Sequence, residues 1–419
     1  MATTQPGPLR RRFAVAGCAA LALLPLPAAR AASKPPPLPP AVVVATFDTG
    51  TNPFHPCFRR PGLTHPKQQT PRYPAASRPL PLALRGTYAA SLAASRRALE
   101  AIKPETLYHV PGTNLSFYGG PRADTEFVDD YPHGAQASSQ IACPGYGLAP
   151  DAHLVVVNWY DDIGSRGKLL AWAVAQPWID VVHLNVQDIP TGLPDTDVAH
   201  AVASGKLVVI AAGNGVLGQG ANYPMELSSY NAPRGSLIAG ANDNDGYTVF
   251  SNLDPHVVMD GVGTRAAAPA GFGTVSFAGT SSSSPRTAGY AARLIADVRA
   301  MYGHTGTGLV TIPSGRRRPK AGPLADGKLT AAELHEVIRK TADPNPHPSA
   351  FDGTSGWPVG GVPLVQPMPL PFAFYPKMGY GEVSEHTVAP ALAVLSGVAP
   401  MPVRPAEDSF YAASESLRR

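Results

Sequence analysis

Residues 41–50 read AVVVATFDTG, a short Val-rich run that ends in an aspartate, a threonine and a glycine. The run does not alternate apolar with polar residues. A strand with one wet face would alternate, so this one has both faces covered, as in a parallel sheet between helical layers. Similar runs recur as HLVVVNW (153–159), IDVVHLNV (179–186), KLVVIAAG (206–213) and SLIAG (236–240). GKLLAWAVAQ (167–176) and DTDVAHAVASG (195–205) lie between them and have helical character. Strand, helix and strand at this spacing predict a doubly wound, mostly parallel α/β sheet with helices on both faces. Functional groups in such sheets gather at the carboxyl ends of the strands, which is where Asp48 stands.

The 419 residues are 15% charged, against a usual quarter. The formal charge of +4 comes from the N-terminus: Arg10, Arg11, Arg12 and Arg30 lie in residues 1–31, which hold no acid. The remaining chain is neutral and has no basic stripe, which argues against a nucleic-acid partner. The first 31 residues read as an export signal, with a basic cluster, an apolar run from Phe13 to about Pro27, and Ala29-Arg30-Ala31 at the cleavage position. Arg10-Arg11-Arg12-Phe13 suits a twin-arginine signal and the whole segment suits a Sec signal. The apolar run is short and interrupted by proline, so no stable membrane anchor is expected. Residues 32–40 form a Pro-rich lead-in, 41–398 one domain, and 399–419 a C-terminal tail. Pro-rich insertions fall near 58–125, with one helix around 87–102, and near 303–324, where the RRRPK run reads as exposed. Residues 329–341 have a helical period. Cys57 and Cys143 form either one disulfide or two buried thiols.

Four polar positions stand out along the sheet. Asp48 ends the first run. His133, in DDYPHGAQASSQIA (129–142), precedes a stretch of small residues that suits a tightly packed helix. Asn214 ends KLVVIAAGN, where an amide can donate into a cleft. FAGTSSSSPRTAGYAARL (277–294) opens a long helix, with Pro285 expected in its first turn, where a missing N–H costs nothing. Its serines lie at the N-terminus, where backbone N–H groups favour negative charge. Taken singly, these residues also read as a turn aspartate, a loop histidine, a strand cap and a serine N-cap.

In the order Asp, His, Asn, Ser, the four segments resemble the motifs of the subtilases, the subtilisin-like serine endopeptidases. DTGTNPFHP resembles the aspartate motif, HGAQASSQIA the histidine motif HGTxVAGxIA, AAGN the oxyanion motif and GTSSSSP the serine motif GTSMAxP. MGYGEVSEHTVAPALAVL (378–395) resembles the closing helix. The resemblance spans about residues 38–398. It implies Asp48, His133 and Ser281 as the catalytic triad, Asn214 as the oxyanion donor, and Asn185, Val186, Gln187, Ala211, Ala212 and Gly213 as substrate-binding positions. It implies peptide or protein substrates, a secreted protein and, by default, a monomer. No cofactor is required for the chemistry; structural calcium is common among such proteins, but no acidic loop places a site here. Both motif segments that carry cysteines must approach the same site, which implies a Cys57–Cys143 disulfide. The departures are Pro132 before the histidine, Ala135 after His-Gly, and Gln187 where glycine is usual. Gln187 predicts a preference for small or polar residues at P1. Only about ten to sixteen residues separate the signal from the first strand, so an inhibitory folding propeptide does not fit. A peptide-binding relative without activity, or a selective processing protease, is the alternative.

Overall fold

The computed structural model describes residues 40–120, 127–129, 131–160, 163–185, 195–214, 235–243, 246–248, 250–252, 255–306, 308–344 and 379–404. The export-signal segment 1–31, Val186 and Gln187 lie outside them. The first half of the chain gives β1 (Val43–Asp48), β2 (Arg78–Pro79), α1 (Tyr88–Glu100), β3 (Leu107–His109), β4 (Leu115–Tyr118), α2 (Gly134–Ala142), β5 (His153–Asn158), α3 (Arg166–Ala175), β6 (Val181–Leu184) and α4 (Asp195–Ala203). The second half gives β7 (Leu207–Ala211), β8 (Ser236–Asp243), β9 (Gly246–Tyr247), β10 (Val257–Asp260), β11 (Thr264–Ala267), β12 (Thr274–Phe277), α5 (Thr280–Tyr302), β13 (Val310–Thr311), β14 (Lys328–Leu329), α6 (Ala331–Thr341) and α7 (Glu385–Leu395).

One sheet runs in the order β10-β8-β7-β6-β1-β5-β4-β3-β2, with β9 hydrogen-bonded to β8. Its pairings are parallel except β3 with β4 and β8 with β9. β1 is the switch point, because β5 adds on one side of it and β6 on the other. The unbroken apolar runs now have their reason. Val42, Val44, Leu154, Val156, Val181, Leu207 and Val209 pack toward α5, α6 and α7. Val43, Ala45, Phe47, Val155, Val157, Val182, Leu184, Val208 and Ile210 pack toward α3 and α4. Alternate residues thus feed two separate, mainly apolar layers, so the runs show no apolar-polar alternation.

The expectation of one helix in irregular loop across 58–125 is corrected. α1 falls inside its predicted range, but β2, β3 and β4 also form there and lengthen the sheet beyond β5. These strands have two to four residues, too few to give a readable period. The 303–324 segment enters a β13–β14 pair, anchored by buried Leu309, Val310, Ile312 and Leu324. β10, unread in the sequence, ends the sheet on the other side. Its outer edge is partly covered, since Val258 N–H donates to Gly381 O (3.0 Å) and Val383 N–H to Val258 O (2.9 Å).

Cys57, in a short 3-10 turn after the β1 loop, is joined to Cys143, the C-cap residue of α2, with Cα atoms 5.0 Å apart. The bond closes a loop with a sequence separation of 86 residues. A Cys57→Ser/Cys143→Ser double variant is expected to lose about 2–4 kcal/mol of stability, read from the urea unfolding midpoint; an unchanged midpoint would remove the disulfide from any stabilising role.

Candidate active site

Asp48 is the last residue of β1 and is fully buried. A carboxylate without water must find hydrogen-bond donors, and three meet it. Thr49 N–H donates to Oδ1 at 2.7 Å, while the Thr49 hydroxyl gives its single proton to Asp129. His133 Nδ1 lies 2.7 Å from Asp48 Oδ1. Asn185 Nδ2 donates to Oδ2 at 2.8 Å. Burial alone would raise the Asp48 pKa, but the His133 charge and these hydrogen bonds outweigh it, and the net direction is down. His133 shows the converse: burial lowers its pKa, the Asp48 charge and hydrogen bond raise it, and the net direction is up. With Nδ1–H donated to the carboxylate, Nε2 is left as the lone-pair nitrogen.

His133 is the N-cap of α2, and its ring edge packs on Phe277 at 5.6 Å between centroids. The start of α2 is held by residues that the sequence did not mark. Asp129 Oδ2 accepts from His133 N–H (3.1 Å) and Ala135 N–H (2.7 Å), and its Oδ1 accepts from Thr49 Oγ1 (2.8 Å). Thr49 Oγ1 in turn accepts from Gly134 N–H at 2.8 Å. Burial pushes Asp129 up to about 6 despite these donors. An acid four residues before a histidine at a helix start was the available sign of this cap. Gly134 has to be glycine, since a Cβ there would run into Gly50 O. Ala135 is compatible with this geometry, because it uses only its backbone N–H in the cap.

Ser281 is the second residue of α5, whose N-cap Gly279 has φ +113°, a conformation that favours glycine. A Cβ on Gly279 would lie 3.3 Å from Asn214 Nδ2 and 3.6 Å from Ser281 N. Two N–H donors therefore flank the same small space. The Asn214 amide is oriented by its other end, as Oδ1 accepts from Thr280 N–H (2.8 Å) and Thr280 Oγ1 (3.0 Å). Ala211, Ala212 and Gly213, just before it, are buried. Asn252 takes up Ala212 O and Gly213 O, at 3.1 and 3.0 Å.

Two expectations are corrected. Pro285 does not lie in the first turn of α5, which begins at Thr280. It lies in the second turn, where its absent N–H would have served the carbonyl of Ser281, four residues back. Asn185 Nδ2 donates to that carbonyl instead, at 3.1 Å. Asn185 is thus not a substrate-facing side chain. It is buried, its two amide hydrogens go to Asp48 and Ser281 O, and its Oδ1 accepts from Ser284 Oγ at 2.6 Å.

Behind Asn185 the polar chain continues. Ser284 has spent its proton on Asn185, so His183 Nε2–H donates to Ser284 Oγ (3.0 Å) and His183 Nδ1 accepts from Thr46 Oγ1 (3.0 Å). Burial drives the His183 pKa down to about 3, which keeps the ring neutral. Asp48, His133, Asn214 and Ser281, dispersed over the sequence, are therefore brought to one end of the sheet, at the carboxyl ends of β1 and β7 and the start of α5.

Among the described residues, one group sets three metal-type ligands within 4.8 Å of one another, namely His55, Cys57 and Cys143, and its cysteines are bonded to each other. No trio of carboxylates that would suit calcium comes together among the described residues. A cavity of about 970 Å³ lined by Tyr146, Arg265, Arg286 and Glu382 contains none of the four site residues. No described helix is long and apolar enough to cross a membrane.

Comparison with known proteins gives this geometry a family. "Subtilisin-like protease 5" of Arthroderma gypseum is 26% identical over 204 residues, 45% of this chain and 50% of that one. "Subtilisin-like serine protease Pen ch 13" of Penicillium rubens is 29% identical over 192 residues, 43% and 47% of the two chains. The chain spans about half the length of the curated relatives it matches. The solved structure of the prenylagaramide maturation protease PagA aligns with a TM-score of 0.47 and 17% identity, over 85% of this chain and 94% of that one. The sequence model of the subtilase family matches residues 40–357, and the chain belongs to the subtilase family.

Proposed function

We propose that this protein is an exported serine endopeptidase acting through Asp48, His133 and Ser281. The observation that carries the reading is the 2.7 Å contact of His133 Nδ1 with a buried carboxylate that Asn185 ties to the backbone of Ser281. A serine hydroxyl is a weak nucleophile until a base takes its proton. In the proposed reaction, Ser281 Oγ bonds to the scissile carbonyl carbon as His133 Nε2 accepts the hydroxyl proton. Asp48 holds the ring in the required tautomer and stabilises its cation. The oxyanion forms in the space beside Gly279, between Asn214 Nδ2 and Ser281 N–H. The C–N bond then breaks, and the proton on His133 passes to the leaving amine. Water attacks the acyl-enzyme ester by the same proton route and frees Ser281. This chemistry needs no cofactor. The substrates are peptides or proteins, with small or polar P1 residues if Gln187 walls the pocket, and the protein works as a monomer outside the cell.

The direct test is fluorophosphonate labelling followed by peptide mass spectrometry. The adduct is expected on Ser281, absent in Ser281→Ala and present in Ser282→Ala, Ser283→Ala and Ser284→Ala. A folded wild-type chain that takes no label would sink the proposal. Asn214→Ala is expected to lower kcat by about 10²–10³, the loss known for the oxyanion asparagine of subtilisin itself.

The pH dependence follows from the His133 direction. The base works only when neutral, and its pKa is raised above 6.5. The acid limb of kcat/KM is therefore expected to have its midpoint above pH 6.5. Asp48→Asn removes the charge that raises it and leaves burial, so the limb should move to lower pH while the rate collapses. A midpoint in wild type well below 6.5 would contradict the ion pair.

Asn185→Ala removes a hydrogen bond to a buried charge, an interaction of about 1.5–3 kcal/mol. It is expected to lower kcat/KM about ten- to hundredfold. If Asn185 instead bound substrate, the loss would sit in KM and vary with the P1 residue.

A further inference from the structure

His133 and Ser281 lie on different helices, α2 and α5, and the Asp48–Asn185 bridge ties only the first turns of those helices together. A second buried polar cluster joins them. Gln140 lies on α2, seven residues after His133, which is two turns along the same face. Its Oε1 accepts from Ser282 Oγ at 2.8 Å, and Ser282 is the residue directly after Ser281. Its Nε2 donates to Thr264 Oγ1 at 2.5 Å and to Arg265 O at 3.3 Å. Thr264 Oγ1 lies 2.6 Å from Ser282 Oγ and 3.0 Å from Phe277 O. Gln140 and Ser282 are fully buried, and Thr264 is 5% exposed. Phe277, at the far end of this cluster, is the residue whose ring packs on His133.

The carbonyl and both hydrogens of the Gln140 amide are therefore used, and they go to two other elements: α5 through Ser282, and β11 through two successive residues. β11 is pinned to α2 a second time, where Ala267 N–H donates to Ser139 Oγ at 2.9 Å. A buried amide held on three sides has one geometry, since any shift of α2 against α5 would leave a polar group without water or partner. An apolar contact here would tolerate sliding.

We propose that Gln140, with Ser282 and Thr264, is a positioning strut that sets the separation of the helix carrying the base from the helix carrying the nucleophile. The proposal rests on the protease reading above. Gln140 touches neither substrate nor the reacting atoms and acts through the placement of Ser281 relative to His133.

The test measures the rate constant for fluorophosphonate labelling, and kcat and KM on a peptide substrate, in wild type, Gln140→Leu, Ser282→Ala and the double variant. Circular dichroism melting shows that each is folded at the assay temperature. Ser282→Ala removes one hydroxyl and serves if Gln140→Leu does not fold. Each single variant is expected to slow labelling and lower kcat about tenfold with KM unchanged. The double variant should be no slower than the worse single one, because both changes cut the same strut. Labelling within twofold of wild type in the folded single variants would overturn the strut. So would losses that multiply in the double variant. A wild-type chain that never labels would instead overturn the protease reading, and the strut with it.

Discussion

A carboxylate with no access to water governs the architecture of the site. An unpaired charge at the position of Asp48 would cost several kcal/mol, so the chain must bring donors to it from separate segments. Thr49 comes with β1 itself. His133 arrives with the start of α2, and Asn185 with the end of β6. Each donor fixes something beyond Asp48. Thr49 links the carboxylate to Asp129 and Gly134, so the turn after β1 and the first turn of α2 form one rigid piece. The same bonds that solve the burial problem also orient the imidazole.

Pro285 brings the backbone of Ser281 into this arrangement. A proline in the second turn of a helix is usually a defect. Here the carbonyl it leaves without an intrahelical partner belongs to Ser281, and Asn185 fills the gap while holding Asp48. One amide thus joins the acid's side chain to the serine's main chain. Its own orientation is fixed by Ser284, and that of Ser284 by His183 and Thr46. This row of neutral polar side chains runs beneath the site between apolar layers, and its members restrict one another's tautomers and rotamers.

The central strands were legible because burial on both faces leaves a signal that one sequence can carry. The places of Asp48 and Asn214 at strand ends, and of His133 and Ser281 at helix starts, were legible from the short motifs that carry them. Other features required the fold. β2 to β4 are too short for a period, and β10 had no partner in sequence to announce it. Asn185 sits at a strand's end, where either face was open to it, and its inward turn follows from the Asp48 carboxylate and from the position of Pro285 in α5. That position depended on the helix beginning at Thr280 and not among the later serines. Gln140 is a polar residue whose partner Ser282 lies 142 positions away in sequence, and no local pattern marks such a pair.

The two ends of the sheet bear on how this protein behaves at high concentration. A bare outer strand presents unused N–H and C=O groups that another chain can adopt. At one end β2 has only two residues, one of them Pro79, which cannot donate. At the other, Val258 is already engaged on both its N–H and C=O by residues just before α7. Among the described residues, neither border offers a row of free backbone groups long enough to template strand addition. A sheet built on Val-rich central strands, with a strong tendency to aggregate if exposed, is thereby closed to edge-to-edge growth.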